Sequence, residues 1–417
     1  MSADAPQCVV VGAGIIGLCC AFHLQSAGFR VTVVDRDPNG DRASYGNAGA
    51  IAMAEILPLP EPGIAKRLPG FLFDPLGPLA IRLRYLPWLW PYMRYFLTVG
   101  NRRDFKAGAR AMASLLAPAM DDHEAMLQTI GLSSLLHRRG GLFVYRSEVG
   151  RKAEDDGWQL RREFCLHAEA LDRTAIEARE PALGPEAHCG YFTEDWAHYG
   201  DPKALCEGLL DYLRKSGVEI VADAAVRITM EDGKFRSVIT TKQQSIIFDH
   251  LVVAAGAWSH KLSKQLSDPF PLETERGYNT TLPNPGLTVN TMTTFSEDHF
   301  VMTPMNMGLR IGGAVEFAGL DAPPNYARSK ALLKLARRYL PGLNTEGGAE
   351  WMGHRPSTPD SLPVIGRSGH HDNVYYAFGH GHLGLTSSAT TGRIIAELMV
   401  ERDPALDLRP FRVSRFG

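Results

Sequence analysis

The 417-residue chain has little net charge: 44 basic and 46 acidic side chains leave a formal −2, so no global field draws it to nucleic acid. Cysteine is sparse. Cys8, Cys19, Cys20, Cys165, Cys189 and Cys206 show neither CxxC spacing nor a metal pattern, and the expectation is reduced, mostly buried thiols in a cytosolic protein. Long apolar runs are absent too. No stretch of 18 uncharged apolar residues occurs, so no membrane-spanning helix is expected. The first apolar strand begins within seven residues of Met1, so no cleavable leader is expected. There is no internal repeat, no low-complexity tract and no GxSxG elbow. His354, His380 and His382 lie close in sequence but not at zinc-ligand spacing, so no metal site is expected. The remainder, 45% hydrophobic and 22% charged, is ordinary for a globular protein of two or three structural units.

What is present begins with Cys8-Val9-Val10-Val11-Gly12-Ala13-Gly14-Ile15-Ile16-Gly17, and 18 residues past Gly17 an acid, Asp35, ends a second apolar strand, Val31 to Val34. This is the pattern of a dinucleotide-binding βαβ unit. Gly12 permits the tight turn, Gly14 lets backbone approach a pyrophosphate, Gly17 allows close helix–strand packing, and Asp35 can hold a ribose hydroxyl. A polar, glycine-rich loop follows, Ser44-Tyr45-Gly46-Asn47-Ala48-Gly49, suited to bending over a cofactor.

From Pro58 to Pro91 the composition shifts to proline, leucine and aromatics, which marks an insertion. Within it, Arg82, Arg84 and Arg94 are mixed with Tyr85, Trp88, Trp90, Tyr92, Tyr95 and Phe96. Two readings stand: an interfacial membrane anchor, or helices packed on a second domain, with Pro87 and Pro91 opposing one long amphipathic helix. Helical periodicity is expected from Phe105 to Ile130, a strand over Gly141 to Tyr145, and a helix from Pro202 to Lys215 capped by Asp201. A hairpin is expected at Glu231 to Lys234, and strands dominate from Glu273 to Val315. Alternating α/β character returns only after Trp351. The expected fold is therefore α/β: a discontinuous, Rossmann-like nucleotide-binding domain (1–58, 195–266 and 346–417). Into it is inserted a mainly antiparallel-sheet second domain (59–194 and 267–345) carrying the insertion at 58–97.

A second glycine cluster, Gly379-His380-Gly381-His382-Leu383-Gly384, follows the strand Val374 to Phe378 and precedes a helix from about Thr386 to Val400. Too little chain follows for another complete βαβ unit, but a helix N-terminus there aims a positive dipole end at something electron-rich. The pyrimidine end of a flavin gains negative charge on reduction, which favours FAD over NAD; the alternative is a helix merely capped by Thr386. Between the clusters, Arg355 precedes Pro356 and is pushed to extended geometry, suited either to capture of a carboxylate or to a structural salt bridge.

With these motifs, His198-Tyr199-Gly200-Asp201-Pro202, Val252 to Trp258 and Arg276-Gly277-Tyr278, the chain resembles the FAD-dependent D-amino acid oxidase/dehydrogenase family over most of its length. The bacterial dehydrogenases are the nearest branch, through the insertion after the Asn-Ala-Gly loop. The resemblance implies that Gly12, Ala13, Gly14, Ile15, Ile16, Gly17, Asp35 and Arg36 hold the ADP half. It further implies that Ser44, Asn47, Ala48 and Gly49 meet the phosphates and ribityl region, and that Val226 meets adenine through its backbone. Ala255, Gly256 and Trp258 would line the cofactor, with Gly381, His382, Leu383, Gly384, Leu385 and Thr386 facing the flavin ring. Arg355 would anchor the substrate carboxylate, with Tyr278, His299, Phe300 and His382 as further catalytic candidates. His299 or Phe300 stands where the family often has tyrosine, and His354 and His382 are atypical.

The implied activity is oxidative deamination of a D-amino acid, of D-proline or hydroxy-D-proline type among the options. A hydride passes from Cα to flavin N5, and the imino acid gives a 2-oxo acid, with no obligatory protein base. The implied partners are a small amino-acid substrate and a quinone or other acceptor, with peripheral contact at the inner membrane face as the open alternative to a purely cytoplasmic enzyme. A sarcosine- or glycine-type oxidase using O₂, and a flavoprotein subunit of a larger complex, are the competing readings.

Overall fold

The structure, a computed structural model, describes residues 5–64, 66 and 79–416. A six-stranded sheet carries the nucleotide-binding unit. Its order is Glu219–Ala222, Arg30–Asp35, Gln7–Val11, His250–Val253, Val374–Phe378 and Val364–Arg367, with the first five strands parallel and the last antiparallel. Val9, Val10, Val33, Val252 and Tyr376 are wholly buried, because helices and loops cover both faces. On one face the helix Ile15–Ser26 packs against the C-terminal helix Ser388–Met399. Contact is so close that a Cβ on Gly392 would sit 2.5 Å from the Cys19 carbonyl oxygen.

The second large sheet is mixed but mainly antiparallel. Ala349–Ser357 forms one edge, followed by Glu273–Leu282, Gly308–Phe317, Phe300–Met305, Met292–Phe295, Gly141–Tyr145, Cys189–Thr193 and Glu169–Leu171. The short strand Leu79–Ile81 pairs beside Gly308–Phe317. Ala349–Ser357 falls within the span 346–417 expected for the nucleotide-binding domain; the ladder with Glu273–Leu282 places it in the second sheet instead. The helix Ala327–Tyr339 covers one face of this sheet over a core that includes Tyr278, Phe295, Phe300 and Ile311. A separate three-stranded meander, Ala225–Glu231, Lys234–Thr240 and Ser245–Ile247, turns through Asp232 and Gly233, both left-handed.

Two expectations about helices change. Phe105 to Ile130 is split into Arg102–Leu116 and Ala119–Ile130, since Pro118 lacks the N–H that would continue the first helix. Conversely, Leu86–Val99 is one helix despite its prolines. Pro87 lies in the first turn, where no N–H is needed, and Pro91 removes a single donor near the start. Part of the 58–97 insertion, namely residue 65 and residues 67–78, lies outside the described residues. No helix among the described residues is long and apolar enough to cross a membrane.

Candidate functional site

The three glycines of the first turn do different work. A Cβ on Gly12 (φ +113°) would lie 2.7 Å from the Ala254 carbonyl carbon, and one on Gly17 would overlap the Gly12 carbonyl, so both are demanded by packing. At Gly14 the nearest atom to a Cβ is the Ser44 hydroxyl oxygen, 3.6 Å away, so the missing side chain leaves the mouth of the turn clear. The helix has no side-chain cap from Gly14; the Ser44 Oγ accepts from the Ile15 N–H at 3.0 Å instead. The Asp35 carboxylate accepts from the Ala13 N–H (2.7 Å) and the Asp37 N–H (2.9 Å), which fixes it at the strand end. Arg36 lies 4.0 Å over the Trp258 ring, and the left-handed Gly256 has nothing within 4 Å of its Cβ direction. Val226 sits exposed at a bulge, its carbonyl accepting from the Gln265 side chain at 3.1 Å.

The Ser44–Gly49 loop is clamped by the second domain. Buried Arg310 donates to the carbonyls of Tyr45 (3.1 Å) and Asn47 (2.6 Å), and desolvation lowers its pKa. Asn279 donates to the Gly46 carbonyl at 2.8 Å, while its own buried side-chain oxygen has no protein partner. The Trp351 ring fills the space that a Cβ on Gly46 would take. Within the loop, the Asn47 side-chain oxygen accepts from the Gly49 N–H at 2.8 Å, and Ala48 is half-buried. Sequence reasoning does not find Arg310, Asn279 or Trp351, because nothing local in sequence ties them to a loop more than 230 residues away.

The C-terminal loop is held as firmly. Gly381–Leu383 forms a 3₁₀ turn, and the helix begins at Ser388, after rather than at Thr386. Thr386 is no cap: its hydroxyl donates to the Ala50 carbonyl (3.1 Å) and accepts from the Ala52 N–H (3.2 Å), joining the two cofactor loops. Behind it, wholly buried His123 lies 2.9 and 3.1 Å from the carbonyls of Leu385 and Thr386 through Nε2. Both partners are acceptors, so Nε2 carries the proton and Nδ1 accepts from the Tyr199 hydroxyl at 2.7 Å. Burial pulls the His123 pKa down to about 4, which keeps it neutral. Gly381 (φ +53°) faces open space, and Gly384 and Leu385 complete the turn.

At the substrate end, Glu275 and Arg355 stand opposite one another in the antiparallel ladder, and the Arg355 Nη1 lies 3.0 Å from the Glu275 carboxylate. Glu275 is buried and lines a partly open pocket together with Ile56, Met112, Ser357, Gly381 and His382. His382 is exposed at this cavity, within the fields of Glu275, Glu55 and Arg355. Strand alternation puts Tyr278 on the other face. Its hydroxyl donates to Glu316 at 2.5 Å and accepts from the Asn325 N–H at 3.1 Å, and its pKa is raised chiefly by burial. Phe300 stacks on Phe295 at 4.2 Å in that same core, and His299 occupies a left-handed corner (φ 53°) before it. Tyr278, His299 and Phe300 are thus not gathered with Arg355. His354 also faces away, bonded to the Thr274 hydroxyl at 2.8 Å and set edge-on to Trp258.

A cleared glycine turn at a helix N-terminus, a strand-end carboxylate, a second glycine loop leading into a helix N-terminus and an orphaned buried amide oxygen fit a dinucleotide whose far end is a flavin, and this points to the class of flavin-dependent oxidoreductases. Residues 7–398 match the FAD dependent oxidoreductase family, and the chain belongs to it. It is 37% identical over 414 residues to a D-amino-acid oxidase of Bradyrhizobium diazoefficiens, covering 98% of both chains. It is 29% identical over 406 residues to a D-amino acid dehydrogenase of Vibrio cholerae, covering 96% of each. The fold is similar to that of glycine oxidase from Geobacillus kaustophilus, with a TM-score of 0.75 and 18% identity over 99% of both chains.

Proposed function

We propose that this enzyme oxidises the Cα–N bond of a small D-amino acid. The observation that carries the reading is Arg355 paired with Glu275, whose side chain lines a pocket shared with Gly381, His382 and Leu383 of the C-terminal loop. The guanidinium is the group for a planar carboxylate, and fixing the carboxylate fixes the Cα hydrogen's direction, which is where orientation contributes most. FAD, when bound, would supply hydride acceptance. The chain's residues would do the rest: Arg355 orients, Ile56, Leu57 and Met112 exclude water, and His123 holds the loop that leads into the helix from Ser388, whose N-terminus would favour negative charge on a flavin. The relatives named D-amino-acid oxidase and D-amino acid dehydrogenase support the same reading. The test is the visible spectrum of the anaerobic holoenzyme on addition of D-alanine, D-proline, 4-hydroxy-D-proline and sarcosine in turn. Bleaching by a D-isomer and not by its L-partner is expected; bleaching by none would refute the reading.

For the acceptor we propose a quinone reached at a membrane surface. Leu86, Trp90 and Leu97 form an exposed stripe at helical spacing, with Leu83 exposed before it, Trp88 exposed on another side of the same helix, and Arg84 and Arg94 in the same segment. The helix holds its place through Leu89, Tyr92 and Met93 against Phe317, so the stripe is not needed for packing. Co-sedimentation with anionic vesicles, lost in a Trp88→Ser/Trp90→Ser variant, is expected. Stoichiometric hydrogen peroxide in air without vesicle binding would mark an O₂-using oxidase.

A further inference from the structure

Glu275 is an unexpected neighbour for an arginine that must receive a carboxylate. Its side chain is 5% exposed, it lines the cavity, and it takes only one arm of the Arg355 guanidinium. Gly277, two residues along on the same strand face, is what lets Arg355 lie there. A Cβ at Gly277 would stand 2.5 Å from Nη2 and 2.7 Å from Nε, so the guanidinium rests flat on the bare backbone with its remaining N–H groups clear of Glu275. Cavity and pair together are therefore net neutral, one buried anion beside one cation.

We propose that Glu275 is the ammonium-binding half of a two-point site for zwitterions. The proposal rests on the reading of Arg355 given above and names the substrate class of that site: amino acids whose amine is protonated on arrival, primary or secondary, and whose side chain carries no negative charge. Binding exchanges one ion pair for two. Arg355 turns its free N–H groups to the substrate carboxylate, and Glu275 accepts from the substrate ammonium, so no buried charge is left alone in either state. A carboxylate without an amine takes Arg355 and strands Glu275, and it is therefore disfavoured. An acidic side chain brings a second anion up to the buried Glu275 carboxylate and is disfavoured.

The experiment compares two non-reacting ligands on the holoenzyme, read by perturbation of the flavin spectrum: 2-aminoisobutyrate, a zwitterion with no Cα hydrogen, and isobutyrate, the same skeleton without the amine. In the wild type the zwitterion is expected to bind at least about tenfold more tightly. In Glu275→Gln the two affinities are expected to converge to within about twofold, with isobutyrate binding more tightly than it does to the wild type, a gain that loss of a structural contact does not produce. Equal affinities in the wild type, which need no variant, overturn the proposal, as does an unchanged ratio in Glu275→Gln. An Arg355→Leu variant separates the two readings. If it loses both ligands while the ratio criterion fails, only Glu275 was misread; if it loses neither, the assignment of Arg355 falls.

Discussion

Replacing Gly277 by alanine adds one methyl group, and its consequences follow from geometry. The new Cβ would lie 2.5 Å from Arg355 Nη2 and 2.7 Å from Nε, against a comfortable separation of about 3.5 Å or more, so the guanidinium must withdraw by roughly 1 Å. The displaced group is the far end of a flexible side chain, and alanine in place of a strand glycine gains about 0.5–1 kcal/mol of backbone entropy, so the fold is kept. Function is where the loss appears. A misplacement of about 1 Å in an orienting group costs on the order of a hundredfold in rate. The expected variant is therefore yellow, melts no lower than wild type, and loses about a hundredfold in kcat/KM for its best D-amino acid. Flavin content, thermal melting and steady-state kinetics check the three parts. A kcat/KM within about threefold of wild type would refute the argument, because Arg355 would then orient substrate from some other place.

Thr386→Val keeps shape but removes both hydrogen bonds between the cofactor loops, and about 1–3 kcal/mol of stability with much of the FAD affinity should go with them, seen as apoenzyme after dialysis. Arg310→Met strands the carbonyls of Tyr45 and Asn47 and should lower FAD occupancy; a fully yellow variant would show the clamp to be dispensable. Acid should destabilise the protein early. Burial holds His123 at about 4 and His380 at about 3, below the ordinary 6.5, so the unfolded chain takes up these protons first and stability falls as pH drops from about 6.5 toward 4. Each tenfold loss of proton affinity on folding is worth roughly 1.4 kcal/mol, so the melting temperature should decline throughout that window; a flat profile between pH 6.5 and 5 would contradict it.

Much of the scaffold is legible in the sequence because local rules and burial agree there. Gly141–Tyr145 and Val374–Phe378 are continuous apolar runs buried at every position, Asp201 caps Pro202–Lys215 by bonding the Lys203 and Ala204 N–H groups, and Asp232-Gly233 makes the turn it encodes. The pyrophosphate turn is legible for the same reason. The substrate end is less so. Glu273–Leu282 is buried on both faces, so its alternation separates Glu275 from Tyr278 without saying which face meets the cavity, and reading Tyr278 as a site residue puts it on the wrong one. Arg310, His123 and Trp351 are invisible because a hydrogen bond spanning more than 250 residues leaves no periodic trace.

The discontinuity of the parallel sheet has a bearing on how the chain comes into being. Val9, Val10 and Val33 leave the ribosome early, yet the neighbouring strand His250–Val253 follows about 216 residues after Val34, and Val374–Phe378, beyond it, some 340 residues after. At about 5–20 residues per second the first interval is a wait of roughly 10–45 s, during which a nascent βαβ unit shows an unpaired, valine-rich edge to its surroundings. The contact that the helix Ile15–Ser26 makes through Cys19 with Gly392 forms later still. The Gly381–Thr386 loop, which Thr386 ties to Ala50 and Ala52, is thus the last part of the nucleotide site to be made.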